Sequence, residues 1–386
     1  MKIRLFFATL LLSALALVRG AETPAQSSAS PVTIPPLNYQ HAVLENGLQV
    51  YWVEDHSSPT VAVQVWYHVG SKDDPKGRSG FAHLFEHMMF KGNEHLKPDT
   101  FENLTENVGG ENTAFTAPDV TVFHEVVPSN YLEPILWAEA ERMASLALND
   151  ANFKSERDVV KEEYRQRILA NPYGEFSLAV EQKSFAAHPY NRPGIGNIAD
   201  LDASQLPEVR AFHSTFYRAD NATLIVVGDF KPSDLEMWAK KYFGAVPKPS
   251  GKIPRVTVKE PPRDKDALEV MYSPKAPLPA VAISYIGPSV RGPDTSALLL
   301  ADTILSDGES SRLYQSLVYE QQIAARISFS ADLREDLGLL TFRIVLASGK
   351  SVAEAEQALQ AQIDAVLKDG VTEEELKKAK SQFLTG

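Results

Sequence analysis

The chain has 386 residues, with 38 Lys and Arg against 50 Asp and Glu, a formal net charge of −12, and no cysteine. The acidic balance argues against nucleic acid or an anionic membrane surface as a partner, and the missing cysteines exclude disulfides and thiolate metal sites. Stability must therefore come from burial, and about 365 residues beyond a leader suffice for two sizeable cores.

Lys2 and Arg4 precede an apolar run over residues 5–18 that is too short to span a membrane. Val18-Arg19-Gly20 fits a small-residue cleavage site, so residues 1–21 read as a signal peptide, and no Cys follows for lipid attachment. Residues 22–36, rich in Ser, Pro and Thr, read as a flexible leader. The expectation is a secreted protein, in a bacterial periplasm, with no stable membrane insertion.

A β-rich run at residues 60–67 is followed by a Gly-containing loop and then by His83-Leu84-Phe85-Glu86-His87. Residues four apart are stacked neighbours on a helix, so both imidazoles can reach one metal ion, with Glu86 beside the open coordination position. The H-x-x-E-H order is the reverse of the His-Glu-x-x-His metallopeptidase helix. Leu84 and Phe85 between the ligands, and Met88, Met89 and Phe90 after them, indicate a helix buried on most sides. Imidazoles and a carboxylate left unpaired there would cost several kcal/mol, and a metal ion supplies the partner.

A hydrolytic zinc needs three protein ligands and one water-bearing position. Residues 149–164 offer a candidate helix, with Asn149 or Asp150 as N-cap and Phe153, Val160, Tyr164 and Ile168 at helical spacing. Glu156 and Glu163 are seven residues apart and share a face, while Glu162 points about 100° away. Taken alone, these glutamates would be those of a solvated helix face. Upstream, residues 111–127 alternate and follow the Gly109-Gly110 turn, as a strand region does.

The run at residues 60–67 is echoed at 279–285, again followed by a Gly-containing loop and an apolar helix. In the second copy Leu299-Leu300-Ala301-Asp302-Thr303 stands where the first has the two His residues, so the second half lacks the metal ligands. Five prolines between Val246 and Pro262 mark a linker. The expected architecture is α+β: a metal-bearing domain over 37–246, a linker over 247–262 and a metal-free homologous domain over 263–386. Each domain is a mainly antiparallel sheet with helices packed on one face. Thr372, with Glu375 three residues later, caps a last helix.

Gly70-Ser71, and the stretch from Gly80-Phe81-Ala82 through the two His residues to Met88-Met89-Phe90-Lys91-Gly92, resemble the signature of the pitrilysin and mitochondrial processing peptidase family. These are H-x-x-E-H (inverzincin) zinc metallopeptidases, here of the small bacterial secreted-subunit type. Glu156-Arg157-Asp158-Val159-Val160-Lys161-Glu162-Glu163 resembles the family's second motif. Gly109-Gly110, Ala114-Phe115-Thr116, His188-Pro189-Tyr190 and residues 221–229 also match, so the resemblance covers nearly all of the chain after residue 36. It implies His83, His87 and Glu163 as ligands of one Zn2+ per chain, Glu86 as general base and Glu156 as a supporting carboxylate. It also implies an exposed edge strand that pairs with the backbone of a peptide substrate, which puts Asn112, Thr113, Ala114 and Phe115 at the substrate. The family's Asn before Ala-x-Thr is Thr113 here, and Asn112 stands one position early, where it would point to the opposite face.

The implied activity is endopeptidase action on unstructured peptides. In single-chain relatives the metal-free domain carries an Arg and, seven residues later, a Tyr that hold substrate. Val318 and Ala325 occupy those places here, with Arg312 and Tyr319 nearby as helix-surface residues. This leads to the expectation of a zinc subunit of a heterodimer whose homologous partner supplies Arg and Tyr. The alternative is a non-catalytic assembly subunit of the same family. Zinc storage is disfavoured because the other seven His residues are scattered. Family members continue for several elements past the last helix, which leaves the second domain open to being truncated.

Overall fold

The computed structural model describes residues 36–385 apart from Glu94, Asp99 and Pro249. The expected signal peptide, and the leader up to residue 35, lie outside the described residues.

The first sheet contains β1 (Gln40–Val43), β2 (Gln49–Glu54), β3 (Thr60–Tyr67), β4 (Glu111–Thr116), β5 (Thr121–Pro128) and β6 (Ala222–Gly228), in the order β1-β2-β6-β3-β5-β4. Only β2 and β6 pair in parallel; the other pairs are antiparallel. Strand β3 shows why one face is covered. Val61, Val63, Val65 and Tyr67 alternate with half-buried Ala62, Gln64 and Trp66 and are themselves fully buried, as a period of two requires when one face meets a core. Register places Phe123 of β5 and Leu224 of β6 beside Val65.

The helices of this half are α1 (Phe81–Met88), α2 (Thr100–Leu104), α3 (Leu132–Ala144), α4 (Asp150–Tyr164), α5 (Gly174–Ser184), α6 (Ile198–Ala203), α7 (Leu206–Phe216) and α8 (Pro232–Tyr242). Phe81, Leu84, Phe85 and Met88 of α1, Ile135 and Leu136 of α3 and Phe212 of α7 join the β3, β5 and β6 residues in one core.

The second sheet is β7 (Ala280–Gly287), β8 (Ala324–Asp332) and β9 (Gly338–Leu346), antiparallel in the order β7-β9-β8, with α9 (Thr295–Ser306), α10 (Val352–Asp369) and α11 (Glu373–Thr385). Its core gathers Leu305, Leu317, Phe329, Phe342, Ile344, Leu346 and Leu359. The fold is thus α+β in two halves, each a mainly antiparallel sheet with an apolar, helix-covered face. The repeat read in the sequence becomes β3 with α1 in one half and β7 with α9 in the other. At the start of α11, Thr372 Oγ1 accepts from Glu375 N at 3.2 Å and Glu375 Oε2 accepts from Thr372 N at 2.8 Å.

Described residues between Val246 and Pro279 form neither helix nor strand, yet this segment is tied down. Glu260 accepts from the backbone N–H groups of Ala186, Ala187 and His188 at 2.5, 2.9 and 2.8 Å. Arg255 donates to His68 O at 2.8 Å and Arg263 to Lys183 O at 2.7 Å. No described helix is long and apolar enough to cross a membrane.

Candidate metal centre

Helix α1 is placed by a carboxylate rather than by its own first residues. Asp74 is buried and accepts from Gly80 N at 2.6 Å and Ala82 N at 2.9 Å, taking up amides that a helix start leaves unpaired. Gly80 has φ 96°, and a Cβ there would come within 2.9 Å of Gly196 Cα. Only glycine meets both conditions. Across from α1, α4 is capped by Asn149, whose side chain accepts from Asn152 N at 2.9 Å.

The two helices bring His83, His87 and Glu163 together. Glu163 Oε2 lies 3.6 Å from His83 Nε2 and 3.3 Å from His87 Nε2. Among the described residues this is the one group of three or more such side chains able to hold a metal ion, with one donor atom from each within 4.8 Å of the others. Glu163 divides its oxygens: Oε1 pairs with Arg167 at 2.8 Å, while Oε2 is buried with no hydrogen-bond partner. Arg167 stands in a π-helical turn, Arg165–Leu169, that continues α4. Glu162 faces elsewhere and pairs with Arg165 at 3.1 Å.

The electrostatics suit a cation. Burial pushes His83 down to about 3, helped by His87 and Arg167, so this imidazole is neutral, as a metal ligand must be. Burial alone would lower His87 too, but Glu156, Glu163 and Glu86 outweigh it and its pKa is raised. The surroundings of His87 therefore favour positive charge. Glu156, 3.8 Å from His87 Nδ1 and 2.9 Å from Lys91 Nζ, is held below the usual carboxylate range by these two partners against the pull of burial. Two neutral-capable imidazoles and an unpartnered carboxylate oxygen make a donor set that fits zinc.

Glu86, on the same helix, is not in the triad of donors. Its Oε2 accepts from Thr116 Oγ1 at 2.7 Å. Burial raises its pKa, against the hydrogen bond from Thr116 and the proximity of His87.

Strand β4 is an edge of its sheet. Asn112 and Ala114 are half-buried on the same face as Thr116, while Thr113 and Phe115 are exposed on the other. Asn112 spends its amide on Thr105 Oγ1 at 2.7 Å. In the second half Asp302 occupies the Glu86 place of the repeat, and its carboxylate accepts from Ala331 N at 2.9 Å. Arg312 is committed to Glu375 at 2.8 and 2.6 Å, and Tyr319 is 71% exposed.

Two family models cover most of the described chain. One, described as "Insulinase (Peptidase family M16)", matches residues 49–191, and one described as "Peptidase M16 inactive domain" matches residues 205–383. The chain belongs to peptidase family M16. An M16 relative, the "Zinc protease PqqE" of Helicobacter pylori, is 33% identical over 349 residues, covering 89% of this chain and 78% of its own. Among solved structures, "a protease from Helicobacter pylori" superposes with TM-score 0.86 at 30% identity, covering 90% of this chain and 85% of that one. A "peptidase M16 inactive domain" from Pseudomonas fluorescens shares the fold, with TM-score 0.77 at 22% identity, covering 91% and 84%. At the family level this is zinc-protease architecture. The second M16 match begins at residue 205, ahead of α7 and of β6, which sits inside the first sheet.

Three side chains around the centre went unread in the sequence. Arg167 had a signal, its four-residue spacing from Glu163. Thr116 lay within a matched motif but carried no sign of contact with Glu86. Asp74, six residues ahead of Gly80, had none, because the loop between them brings it back to the helix start.

Proposed function

We propose that the chain is a zinc-dependent endopeptidase acting on unstructured peptides, with His83, His87 and Glu163 as ligands of one Zn2+ and Glu86 as general base. The observation that carries this reading is the unpartnered Oε2 of Glu163 facing two imidazoles, 3.6 and 3.3 Å away. Zinc held there would bring a coordinated water to a pKa of about 7 and polarise the scissile carbonyl.

The chain's own residues do the remaining work. With Thr116 on Oε2, Glu86 has Oε1 to take the proton of the attacking water as its oxygen bonds to the carbonyl carbon. It then returns that proton to the departing amine as the C–N bond breaks. A raised carboxyl pKa suits both transfers. Glu156 steadies His87 from the side away from Glu163, and Arg167 orients Glu163 through Oε1. The free edge of β4, along Asn112, Thr113, Ala114 and Phe115, is where an extended peptide would add as a strand, with main-chain pairing giving affinity and little sequence preference.

The positions that would supply Arg and Tyr are Val318 and Ala325, and Arg312 is held by Glu375. We infer a homologous partner subunit that contributes both groups, and a secreted, periplasmic setting from the signal-peptide pattern of residues 1–21. A second reading, a non-catalytic assembly subunit, draws support from the match of residues 205–383 to an M16 inactive domain.

Zinc per chain by elemental analysis, together with hydrolysis of an unstructured peptide, tests the proposal. Wild type should carry zinc, Glu163→Ala should lose it, and Glu86→Gln should keep it without turnover. A well-folded wild type that binds no zinc would move the non-catalytic reading to first place. Full activity of the pure homomeric protein would remove the need for a partner.

A further inference from the structure

The metal-free half meets the elements of the candidate centre at a seam built around one buried lysine. Lys72, 5% exposed, lies in the loop ahead of α1. Its ammonium meets Asp119 at 2.8 Å, Glu335 at 2.7 Å and Asp336 at 3.4 Å. Asp119 belongs to the β4–β5 turn of the first sheet, and Glu335 and Asp336 to the β8–β9 turn of the second. The same groups are cross-linked without the lysine. Glu335 N donates to Asp119 Oδ2 at 2.9 Å, Asp336 N to the Tyr190 hydroxyl at 3.1 Å, and that hydroxyl to Asp119 Oδ1 at 2.6 Å. His68 and Arg291 lie 2.7 and 2.9 Å from the Glu335 carboxylate.

Two first-half residues of this seam, Lys72 and Asp119, lead on to the centre. Ser71 N donates to Ala117 O at 3.2 Å and Lys72 N to Pro118 O at 3.1 Å. The loop and the turn therefore touch along their backbones, so closely that a Cβ on Gly70 would sit 2.3 Å from Ala117 O. Two residues beyond Lys72, Asp74 fixes the start of α1. Three residues before Asp119, Thr116 holds Glu86.

We propose that Lys72 is a positioning residue through which the β8–β9 turn of the metal-free half sets the placement of α1 against β4. A lysine with three carboxylates around it cannot be removed neutrally, since Asp119, Glu335 and Asp336 would then face one another across the seam with only the largely exposed Arg291, on the other oxygen of Glu335, left as a permanent cation. Repulsion would separate the turns and loosen both paths to the centre, one through Asp74 to the helix and one through Thr116 to Glu86. The half without ligands thereby acts on the site in its own chain. The effect on turnover rests on the peptidase reading above; the mechanical coupling does not.

The test compares Lys72→Met, Lys72→Arg and the second-half variant Glu335→Gln in the full chain. Amide hydrogen exchange by mass spectrometry is read over residues 71–82 and 113–120, together with zinc content and peptide kcat and KM. In Lys72→Met and Glu335→Gln, exchange over both segments should rise by about tenfold or more. Zinc should stay at the wild-type level, and kcat should fall by about tenfold with a smaller change in KM. Lys72→Arg should restore exchange and kcat, which a generic loss of packing would not explain. Glu335→Gln alters no atom of the first half, so unchanged exchange over residues 71–82 and 113–120 in that variant overturns the proposal. If the well-folded wild type binds no zinc while Glu335→Gln still raises exchange, the peptidase reading falls and the coupling stands.

Discussion

The hydroxyl of Thr116 on strand β4 donates to the carboxylate of Glu86 on helix α1 at 2.7 Å. One bond thus ties the proposed base to the strand beside which a peptide would lie. Removing it takes away an orienting donor and leaves Glu86 more strongly under the influence of burial. We expect Thr116→Val to lower kcat by about 10- to 100-fold, the range for a hydrogen bond of about 1.5–3 kcal/mol to a charged group, with zinc content unchanged. Thr116→Ser should stay within a few-fold of wild type. Wild-type turnover in the valine variant would remove Thr116 from the site.

Arg167 acts on the centre from the opposite side. Its pairing with Glu163 Oε1 at 2.8 Å directs Oε2 at the imidazoles, but the Arg167 side chain is 70% exposed and solvent screens its charge. We therefore expect Arg167→Ala to weaken zinc binding by about tenfold, the lower end of the range for groups that orient a metal ligand. Chelator competition measures this, and an affinity equal to wild type would show that Glu163 needs no such support.

What could be read in the sequence follows the range over which each signal acts. The His83, Glu86 and His87 cluster lies within one helical turn, and the Glu156 and Glu163 spacing within two, so periodicity and an N-cap suffice to place them on their helices. The β4 edge is less legible. The sequence carries its alternation, which already sets Asn112 on the face opposite Thr113, yet only the structure shows that Asn112 gives its amide to Thr105. The β6 strand is encoded about 155 residues after β3 yet pairs between β2 and β3, and no local pattern announces such an insertion. Lys72 is a similar case. In sequence it is a charged loop residue; its burial depends on a turn more than 260 positions away.

Arg142 offers a prediction about stability. Its guanidinium is fully buried, pairs with Glu125 at 3.0 Å and with Glu139, and stacks 3.5 Å from the Phe101 ring and 4.4 Å from that of Phe123. Two acidic side chains face one cation, and burial followed by the nearby Glu139 raises the Glu125 pKa well above its ordinary value. Arg142→Met alone should destabilise the protein by about 3–5 kcal/mol, because it leaves two buried acidic side chains facing each other without the cation they share. Replacing Glu125 and Glu139 by leucine in the same chain should recover most of that loss. Urea unfolding decides it: a single variant as stable as wild type would mean that the buried acidic pair does not depend on Arg142.

The pH dependence of folding should carry the signature of His213. This residue of α7 stacks on Tyr217, with ring centroids 5.7 Å apart and an interplanar angle of 8°, and lies 5.7 Å from the Phe85 ring of α1. Its Nε2 is buried with no partner, and burial pushes its pKa down to about 4. The unfolded chain binds a proton near pH 6.5 that the folded chain resists, so the stability contributed by neutral His213 is complete above about 6.5 and is lost as pH falls toward 4. The slope is about 1.4 kcal/mol per pH unit and the total about 3 kcal/mol. His83, pushed to about 3, adds a loss of the same sign, so the informative quantity is the difference between wild type and His213→Phe. Measured in metal-free protein, that difference should narrow in favour of the variant by up to about 3 kcal/mol between pH 6.5 and 4. Parallel stability curves would mean that His213 gains water or a partner when it is charged.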